Sequence, residues 1–577
     1  MRSTIVSKVL GKKASLYLLI ISGAGASALT YHHTLNPNAS LVHHITTSFN
    51  GVVRSSRSLY TITANVIDYK YSLQGLSPDA DQYTRILSEV HLRSAKRILK
   101  LCEMNQGFYI KAGQFVSSMR QVPKEYSSTL ASLQDQVFPC SFEAIKEVLI
   151  SNLGSDLKEI FLSIDEQPIA AASIAQVHRA LLKDHHQEVV LKVQYPGLKD
   201  RMRMDIATMS LLAKCVTWFF PEYRFQWMVS EFSKVIALEL DFIQEARNSV
   251  TTAVNFKHSN RIRVPMVFQE LTTSQVLTME YCRGRRVTPH PIIMLLDINS
   301  CGFVLKVAKV LVEAFAEMIF VHGFVHGDPH PGNILVSLDE KQGFCLVLLD
   351  HGIYRSLDEE FRINYCQLWK ALVLSDSHNI EQVAQHFGIG KYAKYLSLIF
   401  TGRLINSRAA FGDRMSVEEK TNLKQEVKSL SIGDISEFME SLPSEFLTVL
   451  RTDALVRSLT SKLGSSQRER LIVYANYALR GLSLKPDPGS DFVLKDIFTR
   501  IVSKIDHLQV RLILGKSHTF VYLIQILCFL NNLGCIVTAT VVVAEGYKRS
   551  HVYLVKANYH VDKVINSLHP IRSQVIS

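Results

Sequence analysis

The chain has 577 residues, 47% of them hydrophobic and 20% charged, with a net charge of +12, which excludes a disordered or low-complexity polymer and allows one large or two ordinary cores. Its nine cysteines are scattered and form no Cys-x-x-Cys pair, which excludes a disulfide framework or zinc ribbon and points to a reducing compartment. The positive charge sits at the ends of the chain rather than on a patterned middle segment, which excludes a nucleic-acid partner.

Residues 1–67 contain Arg2, Lys8, Lys12, Lys13, Arg54 and Arg57, and the first carboxylate is Asp68. A basic, serine-bearing, acid-free start has the character of a mitochondrial transit sequence. Residues 1–35 are therefore expected to act in mitochondrial targeting. The apolar run Leu16–Leu29 within them is a candidate membrane anchor, short for a full span of about 20 residues. A secretory signal peptide is the rival reading, on the small residues Ala24 to Ala28.

Residues 70–157 read as a helical extension, with apolar residues at helical spacing over Arg85–Met104 and Ser141–Leu153. From about residue 158 the pattern turns to strands: Glu159–Ile164, Ile174–Leu182 and Glu188–Val193. Polar Lys183–Gln187 joins the last two as a hairpin connection. Asp205–Phe219 and Ser230–Arg247 read as helices. Val264–Phe268 and Gln275–Tyr281 read as strands, followed by a turn at Arg283-Gly284-Arg285. Glu280, near the end of that second run, is counted among the cofactor-binding candidates. Phe303–His322 is a long apolar helix, and beyond Asp350 only helical patterns continue, to about residue 510. A strand-rich lobe (about 158–285) followed by a helical lobe (about 286–510) predicts an α+β, two-lobed protein-kinase-like fold. It carries an added N-terminal helical extension and has a helical C-terminal lobe. Residues 517–544 have no charge and fit either a transmembrane or a buried helix; a basic tail, 545–577, follows.

The motifs carry the chemistry. Ala170-Ala171-Ala172-Ser173-Ile174-Ala175-Gln176-Val177 has the spacing of a phosphate-covering G-x-G-x-x-G-x-V loop, with alanine at all three glycine positions. Alanine resists positive φ and close backbone approach, so the loop should be stiffer. Lys192, flanked by Val189-Val190-Leu191 and Val193, must bury its stem and find an anion for its ammonium. Asp328 and Asn333, in Val325-His326-Gly327-Asp328-Pro329-His330-Pro331-Gly332-Asn333, have the D-x-x-x-x-N spacing of a catalytic loop. The carboxylate is placed to accept a hydroxyl proton, and the amide oxygen to bind Mg²⁺. The strand-like Leu346–Leu349 delivers Asp350 of Asp350-His351-Gly352, which is placed for the bridging Mg²⁺. His326 is expected to orient the loop, not to ligate a metal. Gly327 is expected to add backbone freedom beside Asp328. ATP and Mg²⁺ are the expected cofactors.

These residues make the chain resemble the UbiB-type atypical kinases, also called aarF-domain-containing kinases, and within that family the first mitochondrial type. The likeness extends over about residues 70–450. Lys111-Ala112-Gly113-Gln114 matches the family's K-x-G-Q motif, Pro123-Lys124-Glu125-Tyr126 follows it, and Glu239 to Asn248 matches the E-L-D-x-x-x-E-A-x-N helix. The resemblance implies that Glu245 pairs with Lys192. It also implies that Lys111 and Gln114 belong to a regulatory extension folded over the cleft, with Lys111 contacting Glu239 and Asp241. The implied activity is ATP hydrolysis or phosphoryl transfer to a small or lipid-like acceptor, in ubiquinone or mitochondrial lipid homeostasis. The implied setting is an inner mitochondrial membrane. After Gly352 the chain runs through Ile353–Leu357 into a helix with no A-P-E segment, so the platform for a peptide substrate is missing. A nucleotide-binding scaffold without an acceptor is the alternative.

Overall fold

The computed structural model describes residues 41–77, 80–118, 122–134, 139–154, 156–219, 226–287, 301–339, 343–404, 416, 418–421 and 432–483. The expected targeting segment, the 517–544 stretch and the basic tail lie outside them. Among the described residues no helix is long and apolar enough to cross a membrane.

Four helices open the chain: α1 (Leu41–Ser72), α2 (Asp81–Asn105), α3 (Phe108–Ser118) and α4 (Lys124–Leu130). The first was not anticipated, because its packing side is not apolar. Gly51, Ser58, Thr61 and Asn65 face inward, and Arg54 donates to Asp205 of helix α7 (Leu198–Phe219). Helix α5 (Phe142–Leu153) and the short α6 (Leu157–Ile160) lead into the first sheet.

That sheet runs β1 (Phe161–Ile164), β3 (Ala175–Leu182), β4 (Glu188–Gln194), β6 (Val276–Glu280), all antiparallel, with β2 (Ala170–Ala171) on the edge of β3. Side chains alternate across a strand, so β4 serves two cores at once. Val189, Leu191 and Val193 pack on one side with Ile145, Leu149 and Phe161. Val190 packs on the other with Phe108, Phe115, Phe232, Ile236 and Phe242, so the N-terminal extension covers that face. Lys192 has the parity of Val190 and points the same way. Each large apolar side chain buried here contributes about 1.5–3 kcal/mol.

The predicted helix over Ser230–Arg247 is two helices, α8 (Gln226–Glu239) and α9 (Phe242–Asn255). They break because Asp241 turns its carboxylate onto the Ile243 and Gln244 amides as an N-cap. Val264–Phe268 is not a strand. The chain makes β5 (Ile262–Arg263) just before it and a single bridge from Val267 to Met279. The second sheet runs β5, β10 (Gly343–Leu348), β9 (Ile334–Asp339), β7 (Arg285–Arg286), and β8 (Phe324–His326) pairs with β11 (Tyr354–Ser356). Strand β11 corrects the expectation that only helices follow Asp350.

Helix α10 (Cys301–Glu317) passes into a π-turn, Met318–His322, ended by Gly323 at φ 62°. The rest of the second lobe is α11 (Glu359–Leu374), α12 (Ser377–His386), α13 (Ala393–Thr401), α14 (Ile432–Ser441), α15 (Ser444–Lys462) and α16 (Gln467–Ser483). Phe320, Tyr365, Trp369, Phe400, Phe446 and Tyr474 make its aromatic centre, with ring centroids 5.1–6.1 Å apart.

Candidate active site

The site forms where β4, α9 and the end of β10 meet. Lys192 Nζ donates to Glu245 Oε1 at 2.6 Å and to Asp350 Oδ2 at 2.8 Å. Burial opposes the Lys192 charge, but Asp350 and Glu245 override it and the ammonium is raised above its ordinary value. Burial lifts Glu245 to about 7 against the pull of Lys192. Burial also disfavours the Asp350 charge, yet the Lys192 ammonium holds that carboxyl well below the usual carboxylate range. The Gly352 amide donates to Asp350 Oδ1 at 3.0 Å, and the His351 amide to Glu245 Oε1 at 3.3 Å. Lys192, Glu245 and Asp350 thus form one connected unit.

The loop after β8 supplies the second cluster. The Asp328 amide donates to His326 Nδ1 at 3.1 Å, and the Gly332 amide to His330 Nδ1 at 3.1 Å. Both histidines are occupied as backbone acceptors, and no cluster of three or more His, Cys, Asp or Glu side chains that could hold a metal occurs among the described residues. Asn333 Nδ2 donates to the Asp328 carbonyl at 3.2 Å, which leaves the amide oxygen as its uncommitted end. Gly327 is required for space, not for freedom: a Cβ there would meet Ile353 Cγ2 at 2.7 Å.

Lys111 links the second cluster to Glu239 of α8. Its ammonium lies 2.8 Å from Glu239 Oε1 and 3.7 Å from Asp328 Oδ2. Burial opposes that charge, and Glu239 and Asp328 outweigh it, so Lys111 too is raised. Burial raises Glu239; it works against Asp328 as well, but Lys111 and Arg451 bring Asp328 below its ordinary value. Asp241 is not the partner expected for Lys111, because its carboxylate is spent capping α9. Gln114 does not reach the cleft group either; its amide donates to the Leu133 carbonyl at 3.0 Å and ties α3 to the following turn.

The alanine loop is a closed turn. Ala170 and Ala171 pair with Val177 and Gln176, and the Ala172 amide donates to the Ala175 carbonyl at 2.8 Å. Ser173, Ile174 and Ala175 are buried, and Tyr195 donates to the Ala172 carbonyl at 3.0 Å. Glu280 ends β6, where its carboxylate takes the Arg263 guanidinium and accepts from the Met266 amide at 3.3 Å.

Three contributors carried no sequence signal. Arg451 of α15 lies 3.7 Å from Asp328 Oδ1 and 5.0 Å over the Phe115 ring. Thr452 donates to the His326 carbonyl at 3.1 Å. Tyr354 stacks on Phe324, His326 and His351, with centroids 4.6, 5.0 and 5.6 Å away. No spacing rule points from a mid-helix arginine to a loop 123 positions earlier.

The donor set suits a hard cation. Asp328, Asn333 and Asp350 offer oxygen alone. A Cβ at Gly352 would lie 3.3 Å from Asp350 Oδ1, 3.6 Å from Glu245 Oε2 and 3.7 Å from Glu239 Cγ, a space that any larger side chain would fill.

The ABC1 atypical kinase-like domain family matches residues 132–384. AarF domain-containing protein kinase 1 of Xenopus tropicalis is 37% identical over 72% of this chain and 79% of its own. A probable serine/threonine-protein kinase, abkB, of Dictyostelium discoideum is 35% identical over 71% of this chain and 60% of its own. A solved chain from Mycobacterium tuberculosis, Rv3197 in complex with erythromycin, aligns over 66% of this chain and 94% of its own, with 22% identity and a TM-score of 0.41.

Proposed function

Since this chain belongs to the ABC1/AarF family of atypical kinases, we propose that it binds ATP with Mg²⁺ in this cleft and transfers or hydrolyses the terminal phosphoryl group. The observation that carries the reading is the Lys192–Glu245–Asp350 unit beside the Asp328–Asn333 loop, the two segments being tied where the Leu349 amide, next to Asp350, donates to the Asn333 carbonyl at 2.9 Å. Lys192 binds and orients phosphate oxygens while Glu245 holds its ammonium in place. Asn333 and Asp350 hold Mg²⁺, which supplies charge neutralisation on the phosphates. Asp328 accepts the proton of the attacking hydroxyl or water. The acceptor is proposed to be a small or lipid-like molecule. Ile353–Leu357 contains β11 and leads directly to α11, without the segment on which a peptide would lie.

The setting is proposed to be the mitochondrial inner membrane, in lipid or ubiquinone homeostasis, on the acid-free basic start and the two apolar runs of the sequence. A reporter carrying residues 1–30 that stayed in the cytosol would end the targeting part. Purified protein should consume ATP with Mg²⁺, stimulated by a lipid or quinone precursor, and Asp328→Asn should lose turnover about 100-fold or more while still binding nucleotide. A second reading, a nucleotide-binding scaffold, is favoured by Lys111 and Arg451 flanking Asp328. It takes over if the wild type binds nucleotide and never turns over with any acceptor offered.

A further inference from the structure

Helix α1 is amphipathic the wrong way round. At 100° per residue, Phe49, Tyr60, Ile67 and Tyr71 fall within about 40° of one another and form a stripe about 33 Å long. They are 68%, 76%, 62% and 80% exposed. The opposite side, which packs on the protein, is polar. Ser58 donates to Tyr109 Oη at 2.7 Å, Arg97 donates to Asn65 Oδ1 at 3.1 Å, and Arg54 engages Asp205. The chain therefore spends hydrogen bonds to seat this helix and leaves its aromatic side uncovered, the reverse of what burial favours. Four exposed apolar side chains on one helix side mark a docking surface.

We infer that this face lies in the headgroup layer of a lipid bilayer with anionic lipid. Phe and Tyr have apolar rings, and the Tyr hydroxyls keep polar partners at a membrane boundary, which fits the interface better than it fits a dry seam. Ser56 and Thr63, on the same side, would weaken a coiled-coil seam with a second copy. From Leu41 to Ile67 the helix has no carboxylate to repel anionic headgroups, and Lys8, Lys12 and Lys13 lie upstream in an acid-free segment. Leu16–Leu29 precedes the helix by residues 30–40, which can span no more than about 40 Å. If that run enters a bilayer, α1 begins within reach of its surface. Leu211, Trp218 and Phe219 are likewise exposed on α7, the helix against which α1 packs. None of these exposed side chains belongs to the proposed nucleotide site.

The test uses the full chain bearing Ile67→Trp, without ATP, in phosphatidylcholine vesicles containing phosphatidylglycerol, with acyl chains plain or brominated. The indole introduced at position 67 is expected to shift to the blue and to lose about half its emission to bromine beyond the parent chain's own loss. Adding Phe49→Ser, Tyr60→Ser and Tyr71→Ser should return the signal to the parent level with circular dichroism unchanged. Water-like, unquenched emission at position 67 while the protein still floats with vesicles would overturn the assignment and leave the nucleotide reading standing. A disulfide-linked dimer of Ile67→Cys in the presence of vesicles would overturn it in favour of a second copy.

Discussion

Lys111 and Lys192 solve the same problem at two points: each ammonium, Lys192 buried and Lys111 mostly so, lies between two carboxylates from different parts of the chain. Removing one member of such a set leaves the other charge buried without a partner, at a cost of about 3–5 kcal/mol. Lys111→Met is therefore expected to lower the urea midpoint substantially, and Lys111→Met with Glu239→Gln to recover more than half of the loss. A double variant no better than the single one would show that the Lys111–Glu239 contact is not what the structure relies on. The histidines beneath the loop give a pH signature. His351 Nε2 donates to the Leu348 carbonyl at 3.1 Å, and Nδ1 lies 3.0 Å from the Tyr354 hydroxyl, an arrangement that a neutral ring satisfies. Burial lowers its pKa to about 3. A lowered histidine contributes stability above its unfolded value of about 6.5 that is lost as pH falls toward the folded value. Glu245, raised to about 7, works in the opposite sense, so the informative measurement is a difference. Between pH 6.5 and 4 the melting temperature of the wild type should fall more steeply than that of His351→Gln; parallel curves would rule out the buried neutral ring.

At the scale of elements, α16 rests against the π-turn through a residue with no side chain. A Cβ at Gly481 would stand 2.2 Å from the Phe320 carbonyl oxygen, which is backbone and cannot yield cheaply. Gly481→Ala should cost about 1–3 kcal/mol by overpacking, read in a denaturant titration; an unchanged midpoint would contradict the packing described. Asp241→Ala should cost about 1 kcal/mol through the lost cap of α9 and loosen Glu245 one turn later. Elements with a strong period were legible in the sequence. Strands β3 and β4 and helices α2, α5 and α10 appear within a few residues of expectation, because alternation and apolar spacing set them locally. Val264–Phe268 failed as a strand, and three further misses have physical reasons. Helix α1 packs by polar contacts and so has no inward apolar stripe to find. The α8–α9 break depends on one side-chain cap. Strand β11 is three residues long and exists because Tyr354 stacks against β8. The same division holds in the site. Lys192, Asp328, Asn333 and Asp350 could be read from local spacing, whereas the parts of Arg451, Thr452 and Asp241 could not, since their roles arise from distant or side-chain-specific contacts.

For the molecule as a whole, helix α15 braces the Asp328–Asn333 loop from far along the chain. Arg451 approaches Asp328, Thr452 holds the His326 carbonyl, and Glu445 pairs with Arg355 of β11 at 2.9 Å. Lys111 approaches the same aspartate from before residue 132, where the family match begins. Family likeness and mechanical integrity therefore have different borders. A fragment cut to 132–384 would display every motif from the alanine loop to Gly352 while lacking both props of Asp328, and Val190 and Phe242 would lose the apolar cover supplied by Phe108 and Phe115. Such a piece should bind a hydrophobic dye and melt without cooperativity, where the full chain gives a sharp transition. Inactivity in it would report the missing buttresses and would say nothing about the chemistry of the intact protein.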